Sequence, residues 1–107
     1  MKLMNKPAHI KVGAIQYHIE YVPDLRDGDK KLDGHVRHSE TKISVDARLS
    51  SQSGVQTLLH EIVHVVATQM GKQELDENIV DAIAYAVYQV LRDNPDLVKT
   101  IMRQEPT

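Results

Sequence analysis

Up to about Leu49 the chain tends to alternate apolar and polar side chains, and beyond it the apolar spacing lengthens to that of helices. The segment Ile15-Gln16-Tyr17-His18-Ile19-Glu20-Tyr21-Val22 places β-branched or aromatic residues at every second position, which predicts a strand. Pro23 and the Asp-, Lys- and Gly-rich run Asp24 to Gly34 predict a solvated loop. Gly34 to Ser39 and Lys42 to Asp46 then flank a polar turn at Glu40-Thr41 and read as a half-buried hairpin. In its second strand Ile43 and Val45 are expected to point inward, and Lys42, Ser44 and Asp46 outward.

Ser50, Ser51 and Ser53 offer N-caps for a helix from about Gln52 to Met70, which Gly71 can end in the left-handed conformation. Asp76 can cap a second helix that runs to about Asp93 and stops at Asn94-Pro95. A third helix is expected from Pro95 to about Arg103, with Pro in its first turn. Strands followed by helices predict an α+β fold of one domain, residues 1–107. Its small sheet, of three or so strands, packs on the first helix, and two more helices follow.

In the first helix, with steps of about 100° per residue, Val55, Leu58, Leu59, Ile62 and Val66 form a stripe expected to face the core. Val63, Val65 and Val66 are mediocre helix formers, so this helix should depend on tertiary burial. His60 and His64 face away from the stripe. Ala67 and Gly71 share their side and leave room for another segment to approach.

Composition narrows the chemistry. A chain of 107 residues has room for one core. The net charge of −2 provides no positive field for nucleic acid. No stretch approaches the roughly 20 apolar residues of a membrane span, and Met1 to Pro7 has no leader-like apolar run, so a cytoplasmic protein without a membrane partner is expected. With no Cys, disulfides and thiolate metal sites are excluded, and any metal must use His and carboxylate ligands, for which six His are present.

His60-Glu61-Ile62-Val63-His64 supplies that pattern. Residues four apart lie one turn apart on one helix face, so both imidazoles can reach one cation, with Glu61 about 100° round from His60 as the candidate general base. Zinc suits the set, one ion per chain. The second helix offers Glu77 as third ligand and, one turn later, Asp81 to hold a ligating histidine from behind. The reverse assignment, Asp81 as ligand and Glu77 behind, stays open, as does Asp76. Tyr88 shares the carboxylate face and can serve as donor to substrate or an oxyanion, or simply pack between helices. Tyr85 reads as packing. His9, His18, His35 and His38 read as surface residues, and Asp24 to Asp33 lacks the spacing of a calcium loop. The strand Lys42 to Asp46 reads equally as a core strand or as an edge able to pair with an extended peptide.

The stretch from Gly34 to Met102 resembles the small, often phage-encoded members of the ImmA/IrrE family of zinc metallo-endopeptidases. The resemblance lies in Leu58-Leu59-His60-Glu61-Ile62-Val63-His64, in Asp76-Glu77-Asn78-Ile79-Val80-Asp81-Ala82-Ile83-Ala84, and in Tyr88-Gln89-Val90-Leu91-Arg92-Asp93-Asn94-Pro95-Asp96-Leu97. It implies a small antiparallel sheet on the H-E-x-x-H helix, and the similar thermolysin-like arrangement implies Glu77 as ligand. The chain differs from longer members in lacking a Met-Pro-containing segment after the second helix. The expected activity is hydrolysis of peptide bonds in a protein or peptide substrate. The alternative is a non-catalytic, metal-binding interaction module of phage origin that docks on a host or phage protein.

Overall fold

The structure is a computed structural model that describes residues 6–72 and 74–104, so most of the Met1 to Pro7 segment lies outside the described residues. The described residues form six strands: β1 (His9–Val12), β2 (Ile15–Val22), β3 (Arg26–Asp27), β4 (Lys30–Lys31), β5 (Gly34–Arg37) and β6 (Lys42–Asp46). Three helices follow: α1 (Ser51–Gln69), α2 (Glu77–Asp93) and α3 (Pro95–Arg103). The fold is α+β, as expected, and the helices lie where caps and breakers put them. The Ser50 hydroxyl accepts from the Ser53 N–H at 3.2 Å and the Asp76 carboxylate from the Asn78 N–H at 2.7 Å. Gly71, at φ +73°, ends α1, and the next residue, Lys72, donates its N–H back to the Ala67 carbonyl at 2.7 Å.

The main sheet has four strands in the order β1-β2-β6-β5, and β3 and β4 form a separate two-stranded ribbon. β1 has no counterpart in the sequence reading. It is a four-residue strand joined to β2 through Gly13, which adopts φ +62° at the first turn position. The expectation of an antiparallel sheet is corrected at one pair: β2 and β6 run parallel, Ile19 beside Ile43 and Tyr21 beside Val45. The reason is the path of the chain. After β2, residues 23–33 cross to the far edge, β5 descends there, and the β5–β6 hairpin returns β6 into the gap between β5 and β2.

One sheet face carries Val12, Tyr17, Ile19, Ile43 and Val45 onto Leu58 and Val65 of α1, and this is the core. Ser44 and Asp46, expected to face water, are buried as well. Asp46 ends β6 directly under the crossing loop. It accepts from the Leu25 N–H at 3.2 Å, the Arg48 N–H at 2.8 Å and the Lys31 ammonium at 2.9 Å. The hydrogen bond from Lys31, with the backbone donors, holds its carboxyl well below the usual carboxylate range.

α1 also differs from its wheel. Of its buried residues, Leu58, Glu61 and Val65 lie toward the sheet on an arc overlapping the edge of the predicted stripe and Ala67 toward α2, while Val66, in that stripe, stays 39% exposed. α1 has neighbours on two sides, the sheet and α2, and a single-stripe reading averages over both. Tyr85, expected to pack, is exposed, and Gln89 donates to its hydroxyl at 3.0 Å. Among the described residues no helix is long and apolar enough to cross a membrane.

Candidate metal centre

α1 and α2 pack side by side, which brings the polar side of one against the first turns of the other. His60 and His64, four residues apart, lie one turn apart on the same face, their rings edge to face at 68° with centroids 4.9 Å apart. Their Nε2 atoms lie 3.2 Å apart. Glu77, at the first position of α2, reaches both: one carboxylate oxygen is 3.0 Å from Nε2 of His60 and the other 3.1 Å from Nε2 of His64. Asp81, one turn further along α2, sits behind His60 with an oxygen 2.6 Å from Nδ1.

A carboxylate only accepts, so Nδ1–H of His60 donates to Asp81, and in the ring that carries its one proton there Nε2 presents a lone pair. That lone pair faces a Glu77 oxygen and the other imidazole nitrogen. Electron-rich atoms so close repel one another unless positive charge sits among them, and either a proton on an imidazole or a metal cation can supply it. Ligand atoms of His60, His64 and Glu77 all lie within 4.8 Å of one another, so the three form a group able to hold a metal ion. Each imidazole Nε2 faces its own Glu77 oxygen, so the carboxylate bridges the histidine pair from the α2 side. Of the three acids the sequence left open, Glu77 belongs to the group able to hold a metal ion, Asp81 lies against Nδ1 of His60, and Asp76 caps α2.

Glu61 points to the sheet side of α1 and is 7% exposed. Burial pushes its carboxyl up to about 7; His60 opposes the shift, and the nearby acidic groups of Glu77 and Asp81 reinforce it. Room for it comes from Gly34 at the start of β5. A Cβ there would stand 2.9 Å from a Glu61 oxygen and 2.7 Å from the Thr57 methyl. Backbone and carboxylate thus approach as only glycine permits.

Above this floor opens a cleft of about 420 Å³. Asp33 and Gly34 form one wall, Ser53, Gln56 and Thr57 another, and Asp81 the α2 side. Sequence reasoning missed these wall residues. Their signal was present in Ser53, Gln56, Thr57 and His60, polar residues at i, i+3, i+4 and i+7 along one helix face. Tyr88 is not brought to the cleft. Its ring lies 5.4 Å from the Arg92 guanidinium, further along α2. His9, His18, His35 and His38 are exposed, as expected of surface residues. β6 has no free edge, because β2 and β5 flank it; the outermost strand on this side is β5. Comparison of the chain with protein-family models, curated proteins and solved structures finds no match.

Proposed function

We propose that the chain is a zinc-dependent peptidase of the kind its resemblance to the ImmA/IrrE family implies, and that it cleaves peptide bonds in a protein or peptide substrate. The observation that carries this reading is the convergence of His60, His64 and Glu77 beside a buried Glu61 that opens onto a cleft. Zinc held by the three would supply Lewis acidity, activating water and polarising a carbonyl oxygen. Glu61 stands next to that position to take a proton from the attacking water and return it to the departing amine. Asp81 holds His60 in the Nδ1–H tautomer so that Nε2 remains free to ligate. Gly34 and the open edge of β5 give an extended peptide a backbone to pair with along the cleft.

Metal analysis of untagged protein should find one zinc per chain, absent in His60→Ala and Glu77→Ala. Asp81→Ala should retain the site with affinity lowered about 10- to 100-fold. Glu61→Gln should keep the metal and lose hydrolysis of a peptide library. Zinc retained in His60→Ala, or undiminished hydrolysis in Glu61→Gln, overturns the assignment. The rival reading, a metal-bearing interaction module, draws on the apolar surface of the helices. It predicts that Glu61→Gln leaves biological activity intact.

A further inference from the structure

The apolar side of α1 that turns from the sheet toward α2 forms one wall of a second groove. Leu59 and Val66 from α1, Ile62 at the margin of the core and Met70 just past the helix end face Ile83 and Val87 from α2 across about 410 Å³, and Lys72 is the one charged residue of the lining. This groove lies on a different face of α1 from the metal cleft, and the two share no lining residue. No residue of α3 lines it.

α3 has the complementary problem. Leu97, Val98, Ile101 and Met102 occupy one side of it, and Asp96, Lys99, Thr100 and Arg103 lie elsewhere on its surface. None of its residues is buried, and Ile101 and Met102 are 53% and 78% exposed. Its one neighbour of any extent is α2, which it follows after the single residue Asn94. A nine-residue helix is not stable in water without a surface to pack on.

We propose that the chain is a two-fold symmetric homodimer in which α3 of each copy lies in the α1–α2 groove of the other. Dimensions agree. Leu59 to Met70 spans roughly 17 Å along α1, and α3 is about 13 Å long. Reciprocal exchange occupies both grooves and both α3 helices at once, the self-complementary closure of a two-fold dimer. A specific dimer needs roughly 800 Å² per partner, and the exposed apolar side chains of α3 (Leu97, Ile101, Met102) and of the groove (Val66, Met70, Ile83, Val87) are the surface that two reciprocal contacts would bury. The net charge of −2 sets up little repulsion between copies.

The test is the mass of the full chain in solution, by light scattering across a wide concentration range, with and without zinc. The expected value is twice the chain mass of 12.1 kDa. Ile101→Glu in α3 and Val66→Glu in the groove should each halve it, with circular dichroism and zinc stoichiometry unchanged. Both positions are exposed in the single chain, so neither change has a core to disrupt. Leu97→Glu and Ile83→Glu repeat the test if either variant fails to fold. Mixing Ile101→Glu with Val66→Glu should restore dimer in part, because one intact helix then meets one intact groove. A monomer at every concentration overturns the proposal. A dimer that survives Ile101→Glu, or an open ladder of larger species, overturns the α3 exchange.

Discussion

Gly34 shows how much a missing side chain can decide. It begins β5 in a place where the strand backbone passes Thr57 and Glu61 too closely for a Cβ. Gly34→Ala should therefore cost about 1–3 kcal/mol of stability, the usual range for overpacking. In the proposed peptidase it should also reduce hydrolysis more than zinc binding, because the displaced group is Glu61 and not a ligand. Denaturant unfolding and metal titration on the same variant separate the two effects. Asp81 acts in the opposite way, by being present. Its contact with Nδ1 holds the His60 ring in one orientation, with Nε2 turned toward Glu77 and His64.

At the scale of elements, α1 is a helix with three different sides. Leu58 and Val65 meet the sheet, His60 and His64 meet α2, and Leu59 and Val66 look into the second groove. Heptad-like spacing shows that such a helix is amphipathic and does not say which apolar residues a neighbour covers. β6 shows the same limit. Its alternation identified Ile43 and Val45 as core positions, whereas the burial of Asp46 depends on residues 23–33 passing over the strand end. Because the Asp46 carboxyl is held below its unfolded value, its contribution to stability is present above about pH 4 and is lost as acid titrates the folded state. Asp46→Asn should lower the urea midpoint at neutral pH, and the gap to the parent protein should close as pH falls below the ordinary carboxylate range. A gap that persists unchanged in strong acid would show that Asp46 acts through packing and not through its charge.

At the scale of the molecule, the candidate metal group spans two helices that are far apart in sequence. His60 and His64 come from α1 and Glu77 from α2, and the connection between them includes Gly71 and Lys72. A metal bound there ties α2 to the part of the fold that owns the core. Unfolding should accordingly be metal-linked. Saturating zinc at 100 times its dissociation constant should add about 2.7 kcal/mol to stability, a chelator should remove it, and His60→Ala should respond to neither. Thermal or denaturant unfolding with each addition reads this directly.

The sequence by itself determined the features that depend on local chemistry. Ser50, Asp76, Gly71 and Pro95 delimit the helices because caps and breakers act within a turn, and the four-residue spacing of His60 and His64 puts two imidazoles on one helix face wherever that helix is placed. Glu77 and Asp81 were legible as a pair for the same reason, though not which of them is the ligand. Only the tertiary structure shows which of them joins the histidine pair, Glu77, because that depends on how far α2 slides along α1. It also decided the parallel β2–β6 pair, the burial of Glu61 beneath Gly34, and which apolar stripe of α1 is covered. Each of these depends on which distant segments meet, and periodicity along one segment carries no information about its neighbours.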